Sequence, residues 1–377
     1  MNVKLVDINL QYQNIKNEID AAVHRVLDSG QFILGPDVAA LEKEAAQHLN
    51  VNYAIGVASG TDALHLALLA CGIGPGDEVI TTPFTFIATC EAITYCGATP
   101  VFVDIDPKTF NINPVKIKEK ISKKTKAIIP VHMYGQAAEM EPILEIAKKF
   151  QLKVVEDVAQ AFGGEYKNKK VGTFGDAGCT SFFPSKNLGA YGDGGMVFTN
   201  DEKIADKVKI LRVHGSKEKY FHDLIGFNSR LDTLQAAIVR VKLKYIDQWN
   251  NMRIEHAEQR YNKLLSNCNV VTPYTEPYNK HVYHLYTILV NDREGCRKYL
   301  NNRGISSAIH YPIPIHLQKS FEYLGFSAED FPASSEISQK TLSLPMFPEL
   351  KENEINYVIK TVKEFLEPTE TSTTYRD

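Results

Sequence analysis

The chain has 377 residues, of which 44% are hydrophobic and 23% charged, a composition typical of globular proteins with room for two domains. Its 42 basic and 45 acidic side chains leave a formal net charge of -3. This near balance provides no overall field to attract nucleic acid or an anionic membrane, so neither is expected as a partner.

The six cysteines are scattered and form no CxxC pair, so the spacing indicates neither a metal site nor a disulfide framework. The N-terminal sequence lacks the apolar core of a signal peptide, and no apolar run approaches the length of a membrane span. We therefore expect reduced thiols and a cytoplasmic protein.

The first part of the chain has a helical pattern up to about residue 49, interrupted by a Gly-bounded turn at 29–36. From residue 51 onward, short apolar runs alternate with helical patterns. This alternation predicts an α/β fold, with a mostly parallel sheet flanked by helices. The strands expected in it are 53–57, 78–81, 100–104, 126–131 and 153–157.

The alternation ends at two β-type runs, 179–183 and 196–199, which have only a loop between them. Parallel neighbours need a long crossover, so these two strands are predicted to be antiparallel and the sheet to be mixed. The loop carries Lys186 and a cluster of glycines, and a constrained turn presenting Lys186 is expected there. An antiparallel pair is a local exception in a doubly wound parallel sheet, and we expect a functional site at such an exception.

The remaining chain predicts a helix around 234–241, a polar stretch at 249–253, a helix reaching 265, a strand at 284–290 and a closing helix at 355–366. We place a large domain, with the N-terminal helical segment, at 1–247. A smaller C-terminal α+β domain follows at 248–377. Its tail from Pro368 is polar and predicted to fray.

Two motifs lie where predicted strands end, the edge at which open α/β sheets bind ligands. Ser59, Gly60, Thr61 and Asp62 open a helix, and free N–H groups at a helix start attract anions, although a simple N-cap is the alternative. Asp157 follows Glu156 at the end of another strand, where a buried carboxylate needs a partner. For these acids, a structural salt bridge or helix cap is the alternative.

Lys186 is the third candidate for this site, although it could instead be a surface lysine on a hairpin. If an anion site, a buried carboxylate and a lysine converge, the matching ligand has a phosphate, a protonatable ring nitrogen and an electrophilic carbon. Pyridoxal 5'-phosphate fits that description, with the lysine holding C4' as a Schiff base and the acid keeping the ring nitrogen protonated.

Four sequence blocks together resemble the sugar aminotransferases of the DegT/DnrJ/EryC1/StrS family, of the fold type I pyridoxal-phosphate class. The blocks are GTDALHLAL from Gly60, EDVAQAFG from Glu156, TSFFPSKNLGAYGDGG from Thr180 and GFNSRLDTLQAAI from Gly226. They occur in the order found in the family, and the resemblance extends from Leu5 to His310.

The resemblance implies a cofactor site built around Lys186, which would bond the cofactor and move the proton during catalysis. Asp157 would bind the pyridinium nitrogen and Gln160 the 3-hydroxyl. The phosphate would be held by Gly60, Thr61 and Ser181 of the same chain and by Asn228 of a neighbouring subunit. Phe86 would stack on the cofactor ring. A core phenylalanine is the alternative for Phe86. Sharing Asn228 implies a homodimer with shared active sites.

Substrate contacts are implied for Arg230, His310 and Tyr311, with a surface ion pair and a packed turn as alternatives. A basic loop with His214, Lys217, Lys219 and His222 would approach the nucleotide diphosphate or remain solvated.

The implied reaction moves an amino group from glutamate, by way of pyridoxamine 5'-phosphate, to a keto sugar on a nucleoside diphosphate. Ser229 after Asn228 resembles members acting at C3, and Arg230 with His310 and Tyr311 resembles enzymes for UDP-linked 3-keto uronic acid sugars. Products would supply polysaccharide or another amino-sugar glycoconjugate. One alternative is a pyridoxal-phosphate-dependent sugar dehydratase; the family members that remove a hydroxyl have histidine in place of the lysine. The other alternative is a non-catalytic cofactor-binding regulatory protein.

Overall fold

The computed structural model describes residues 1–218 and 220–367, and the predicted tail from Pro368 lies outside them. The strands in this part of the chain are β1 Tyr53–Val57, β2 Glu78–Thr81, β3 Thr99–Phe102, β4 Thr125–Ile128, β5 Lys153–Asp157, β6 Glu165–Tyr166, β7 Lys169–Lys170, β8 Ala177–Ser181, β9 Gly195–Thr199, β10 Ser216–Glu218, β11 Phe221–His222, β12 Asn279–Lys280, β13 Tyr286–Leu289 and β14 Thr341–Leu344.

The α-helices are α1 Ile8–Asn14, α2 Lys16–Ser29, α3 Pro36–Leu49, α4 Gly60–Ala70, α5 Ala88–Tyr95, α6 Met140–Phe150, α7 Glu202–Leu211, α8 Thr233–Leu243, α9 Ile246–Glu255, α10 Lys263–Leu265, α11 Arg293–Asn302, α12 Pro332–Lys340 and α13 Glu352–Leu366. A π-helical turn, His256–Asn262, joins α9 to α10. None of the helices in the described ranges combines the length and the apolar character needed to cross a bilayer.

A seven-stranded sheet with the order β1-β9-β8-β5-β4-β2-β3 forms the centre of the larger part of the molecule. Strands β8, β5, β4, β2 and β3 are parallel to one another, whereas β9 is antiparallel to both β1 and β8. The predicted mixed, mostly parallel sheet flanked by helices is therefore confirmed, as is the antiparallel pair on either side of the Lys186 loop.

Helix α4 shows how the sequence places a helix start beside the sheet. Its apolar residues Leu64, Ala67 and Leu68 are buried in the core against β8 and β9. Ser59 caps the first turn, because its Oγ accepts a hydrogen bond from the Asp62 N–H at 3.0 Å. The cap and the buried stripe fix the helix axis, so the N-terminus of α4 points at the C-terminal edge of the sheet.

The smaller part of the molecule is built on the antiparallel pair β13 and β14, with α11, α12 and α13 around it. Its core is one cluster of buried side chains drawn from positions between Ala257 and Val362, together with Val3 from the N-terminus. Tyr261 and Tyr286 stack in this core with ring centroids 4.5 Å apart.

The predicted polar stretch at 249–253 is helical and largely buried in the structure. It forms the middle of α9, and Trp249, Asn250 and Arg253 are buried. The Asn250 Nδ2 and the Arg253 Nη1 donate to main-chain carbonyls, which holds in the core two side chains that sequence patterns assign to solvent.

Candidate active site

A cavity of about 420 Å³ lies at the C-terminal ends of β5 and β8, beside the start of α4. Nine of the residues predicted to form the site line it: Gly60, Thr61, Phe86, Asp157, Gln160, Ser181, Lys186, His310 and Tyr311. The remaining two, Asn228 and Arg230, do not line the cavity within one chain.

Lys186 is held on the loop between the antiparallel strands β8 and β9. Its N–H donates to the Phe183 carbonyl at 2.8 Å, and the Ala190 N–H donates to the Phe182 carbonyl at 2.7 Å. The turn closes tightly at Gly189, where a Cβ atom would lie 2.4 Å from the Pro184 carbonyl oxygen. The main chain therefore fixes the base of the Lys186 side chain.

The Lys186 side chain keeps some contact with solvent through the cavity, but dense protein surrounds it. This burial lowers the pKa of Lys186 to about 8, against the opposing influence of Asp157. A larger fraction of the amine is thus neutral near neutral pH than for an exposed lysine, as nucleophilic attack on a carbonyl requires.

Asp157 ends β5 and is 6% exposed. Its Oδ2 accepts from the Thr89 hydroxyl at 2.9 Å, and its Oδ1 accepts from the Ala159 N–H at 3.1 Å. Burial raises the pKa of Asp157, while the two hydrogen bonds and Lys186 favour the ionised form. The oriented carboxylate is suited to hold a protonated ring nitrogen inside the cavity.

Glu156, the neighbour of Asp157, points away from the cavity and is fully buried. It accepts three main-chain hydrogen bonds, from Gly172, Phe174 and Gly175, at 2.7–2.9 Å. His132 Nδ1 accepts from a main-chain N–H, so its Nε2 carries the proton that it donates to Glu156 at 3.0 Å. Glu156 therefore has the structural role of a buried hydrogen-bond acceptor, whereas Asp157 faces the cavity.

The start of α4 forms an anion cradle in this cavity. The first-turn N–H groups of a helix have no intrahelical acceptor, and Gly60 and Thr61 supply two of them here. A Cβ atom on Gly60 would lie only 2.6 Å from the Ser181 Cβ, so glycine is what allows Ser181 to close against the helix. A phosphate group fits this arrangement of donors.

Gln160 and Tyr311 are joined on the opposite wall. The Gln160 Oε1 accepts from the Tyr134 N–H at 2.9 Å, so its Nε2 is the donor to the Tyr311 hydroxyl at 3.1 Å. One Nε2 hydrogen remains for a ligand. Burial, followed by the Asp157 charge, raises the pKa of Tyr311 and keeps it a neutral phenol.

Phe86 and His310 complete the wall near Tyr311. Phe86 is 52% exposed with its ring centroid 5.8 Å from that of Tyr311, so the core alternative for Phe86 is wrong. His310 Nδ1 lies 2.9 Å from the Ser343 Oγ, and burial together with Lys186 lowers the pKa of His310 to about 4. His310 is therefore neutral at physiological pH.

Asn228 and Arg230 lie together outside the cavity, in the segment before α8. The Arg230 Nη2 donates to the Asn228 Oδ1 at 2.6 Å. Ser229 between them is buried, and its hydroxyl donates to the Asp62 carboxylate at 2.7 Å. Ser229 thus supports the first turn of α4 and does not line the cavity.

The expected basic loop lies in the β10–β11 hairpin, away from the cavity residues. The His222 Nδ1 is 2.9 Å from the His214 carbonyl oxygen, and Lys217 is exposed. Lys219 lies outside the described residues.

Sequence reasoning missed His284 and Asp193, which also line the cavity. It also missed Asn187, which is buried directly after Lys186 and hydrogen-bonds toward His284. A histidine opening an otherwise apolar strand pattern was an available signal for His284. Asp193 had no comparable signal, because an acid in a glycine-rich loop is ordinarily solvated.

Comparison with known proteins agrees with this architecture. The crystal structure of S. venezuelae DesV in complex with a ketimine intermediate superposes with a TM-score of 0.96, at 39% identity, covering 98% of this chain and 100% of DesV. A pleiotropic regulatory protein of Geobacillus stearothermophilus is 49% identical over 97% of this chain and 99% of its own length.

Two similar relatives carry the names of sugar aminotransferases. The UDP-N-acetyl-3-dehydro-alpha-D-glucosamine 3-aminotransferase of Acidithiobacillus ferrooxidans is 45% identical, covering 97% of this chain and 98% of the relative. The UDP-2-acetamido-2-deoxy-3-oxo-D-glucuronate aminotransferase of Pseudomonas aeruginosa is 43% identical, covering 92% and 96%.

The mixed seven-stranded sheet, the lysine and buried carboxylate in one cavity and the similarity to named sugar aminotransferases together identify a fold type I aminotransferase. The DegT/DnrJ/EryC1/StrS aminotransferase family matches residues 13–363. The chain belongs to that family.

Proposed function

We propose that this aminotransferase uses pyridoxal 5'-phosphate to move an amino group from glutamate to C3 of a keto sugar on a nucleoside diphosphate. The observation that carries the proposal is the convergence of Lys186, Asp157 and the start of α4 in one cavity. These supply a nucleophilic amine, a partner for a ring nitrogen and a cradle for a phosphate.

The cofactor, when bound, supplies an electron sink for the carbon that loses or gains a proton. Lys186 holds and moves that proton, since its lowered pKa suits exchange near neutral pH. Asp157 is held by Thr89 and Ala159 in the orientation that fixes the ring nitrogen. Gln160 would hold the 3-hydroxyl, Phe86 would stack on the ring, and Ser181 would bind the phosphate with the start of α4.

The decisive experiment follows the two halves of the reaction separately. Added glutamate should convert the visible absorbance of the covalently held cofactor to that of pyridoxamine 5'-phosphate, with release of 2-oxoglutarate. A keto nucleotide sugar should then take up the amine and restore the first spectrum. Deoxygenation of the sugar without amine incorporation would instead establish the dehydratase alternative, which the presence of lysine at position 186 disfavours.

The regulatory alternative has support from the 49% identity to the pleiotropic regulatory protein. It predicts a bound cofactor whose spectrum does not change with glutamate. The reactive setting of Lys186, with its pKa lowered to about 8, favours catalysis over retention alone.

The names of the relatives support the assignment of amination to C3. Both UDP-sugar relatives are named for a 3-oxo or 3-dehydro sugar, which supports C3. We propose a UDP-linked 3-keto uronic acid sugar as the leading substrate, with Arg230, His310 and Tyr311 receiving it. Kinetic comparison of 3-keto and 4-keto nucleotide sugars, with and without a C6 carboxylate, tests both parts; preference for a 4-keto sugar would overturn the assignment.

We also propose a homodimer in which Asn228 and Arg230 enter the neighbouring subunit's cavity. Both lie outside their own cavity, and the adjacent main chain exposes apolar side chains, with Ile33 at 52% and Ile225 at 93% exposure. Such a patch is typical of an interface.

We further propose the division into domains at 1–247 and 248–377 and a cytoplasmic location. The core of β13, β14 and α13 supports the division, and the N-terminal Val3, Val6 and Leu10 pack against it from the other side of the boundary. All six cysteines are free thiols, as a reducing compartment would leave them. The products would enter polysaccharide or amino-sugar glycoconjugate synthesis.

A further inference from the structure

A chain of buried amide hydrogen bonds runs from α9 to the cavity. The Asn250 Nδ2 donates to the Phe162 carbonyl at 3.0 Å, so the Asn250 Oδ1 is left to accept. Asn187 uses its Nδ2 for both the Asn250 Oδ1 at 2.8 Å and the Val282 carbonyl at 3.2 Å. Because main-chain carbonyls can only accept, they fix the orientation of both side-chain amides.

This orientation determines the tautomer of His284. The Asn187 Oδ1 must accept, so the His284 Nδ1, 3.2 Å away, carries the hydrogen. Burial, followed by the positive charges of Lys186 and Arg253, lowers the pKa of His284 and keeps the ring neutral. A neutral ring with its hydrogen on Nδ1 has a lone pair on Nε2.

The free nitrogen belongs to the cavity wall. His284 lines the cavity with Lys186, His310 and Tyr311, and the residue is 8% exposed. Within the described ranges its Nε2 has no hydrogen-bond partner, whereas its Nδ1 is used by Asn187. The cavity therefore presents an uncharged acceptor beside the catalytic amine, and a buried acceptor of this kind favours a ligand that brings a donor.

Of the two proposed substrates, only the sugar offers uncharged donors. Glutamate presents carboxylates, which accept hydrogen bonds, and an amine that must reach the reacting carbon. A sugar presents hydroxyl groups, which donate. A neutral acceptor at this position therefore favours the sugar and contributes nothing to holding a carboxylate.

We propose that His284 is a specificity-determining residue whose Nε2 accepts a hydrogen bond from a hydroxyl of the nucleotide-linked sugar. This inference rests on the proposed function for the identity of the ligand. It assigns to Asn187, directly after Lys186, the task of positioning the ring, so the loop that holds the catalytic lysine also sets the sugar-binding acceptor.

Two substitutions separate the two ring nitrogens. His284→Asn keeps an N–H near the Nδ1 position for Asn187 and removes the Nε2 acceptor. His284→Gln keeps an acceptor near the Nε2 position and gives up the donor to Asn187. We expect His284→Asn to lower kcat/KM for the keto sugar about tenfold, with the rate of the glutamate half-reaction unchanged within about twofold. His284→Gln should recover much of the sugar kcat/KM with a lower Tm.

Binding measurements keep the test independent of turnover. Calorimetry on cofactor-loaded protein, with nucleotide sugars that each lack one ring hydroxyl, should find one analogue that binds the wild type about tenfold more weakly than its parent. His284→Asn should bind that analogue and its parent equally. Equal losses in both half-reactions, or unchanged hydroxyl dependence in His284→Asn, would overturn the inference.

The tautomer can be read without any substrate. Nitrogen-15 NMR of histidine-labelled protein should show the His284 Nδ1 protonated and the Nε2 bare, and the opposite pattern would overturn the inference. A wild type that binds the sugar through a hydroxyl sensitive to His284→Asn, yet does not react with glutamate, would refute the proposed catalysis and leave this inference standing.

Discussion

At the scale of single residues, the site depends on ionisable groups moved from their ordinary pKa values by burial. Lys186 has its pKa lowered to about 8, while Asp157 has its pKa raised, and each favours the charged form of the other. Groups with shifted pKa values that face one cavity are typical of a functional site.

Reaction of cofactor-free protein with pyridoxal 5'-phosphate should therefore depend on pH through Lys186. Only the neutral amine attacks, so the rate should rise as pH increases through about 8, well below the ordinary lysine value of 10.5. Stopped-flow absorbance of the covalent product measures this midpoint. Lys186→Ala should give no such product, and a midpoint near 10.5 would contradict the buried setting described here.

Gly60 allows a second residue-scale prediction. In Gly60→Ala the new Cβ would lie 2.6 Å from the Ser181 Cβ, and overpacking of this kind costs typically about 1–3 kcal/mol. We expect the Kd for pyridoxal 5'-phosphate to rise by about tenfold or more, measured by fluorescence titration. Gly74→Ala is the matched control, since nothing lies within 4 Å of its added Cβ. Similar behaviour of the two variants would argue against the cradle.

At the scale of elements, two side chains of helix α8 hydrogen-bond to the loop that holds Lys186. The Gln235 Oε1 accepts from the Tyr191 N–H at 2.9 Å, and the Lys242 ammonium donates to the Gly189 carbonyl at 2.7 Å. Gln235 and Lys242 are seven residues apart and share one face of the helix. The Lys242 Nζ also lies 4.2 Å from the centroid of the Tyr191 ring.

Burial makes Lys242 sensitive to pH. The pKa of Lys242 is lowered to about 7, with Glu349 opposing the shift. Between that value and 10.5 the unfolded chain binds more protons at this lysine than the folded chain, so its contribution to stability increases with pH. Arg253 and Tyr191 are the other ionisable groups close to Glu349 in this cluster.

Lys242→Met should abolish this dependence. Relative to the variant, the wild type should gain up to about 1.4 kcal/mol in unfolding free energy per pH unit across that window. Urea unfolding from pH 7 to 10 measures the difference. Lys244→Met, at a side chain 65% exposed, is the control and should leave the slope unchanged. Equal slopes in wild type and Lys242→Met would show that Lys242 is not held as described.

The elements of the sheet were largely predictable, because strands buried on both faces give continuous apolar runs. β1, β2 and β5 match their predicted bounds, and β3 and β4 differ from theirs by one to three residues at an end. The sheet formed by β12, β6 and β7 was missed, because strands of two residues have no periodicity to detect. The burial of Asn250 and Arg253 was also missed, since their partners are main-chain carbonyls distant in sequence.

At the scale of the whole molecule, the cavity is lined by residues that are widely separated in the sequence. Gly60 and Lys186 come from the part of the chain that forms the seven-stranded sheet, and His284, His310 and Tyr311 come from the part that follows α9. The family resemblance implied that Asn228 reaches a neighbouring subunit, whereas only the folded chain shows that Arg230 also lies outside the cavity of its own chain. No one-chain pattern contains that information.

The proposed shared sites predict recovery of activity on mixing two defective proteins. Lys186→Ala lacks the amine, and an Asn228→Ala/Arg230→Ala variant lacks the residues proposed to cross the interface. After joint refolding, mixed dimers contain one site with both functions intact, so activity should approach a quarter of the wild-type value at equal amounts. Turnover of the mixture against each parent measures this. Activity no higher than the mean of the parents would place Asn228 and Arg230 outside the partner's site.

The adjacent acids at the end of β5 impose a constraint on how this chain can change. Successive side chains of a strand point to opposite faces, so Glu156 and Asp157 serve separate structures from neighbouring positions. Loss or gain of a single amino acid within β5 would turn the longer acid toward the ligand and the shorter one toward the main-chain donors at 172–175. Insertions and deletions should therefore be absent from this strand in any functioning descendant.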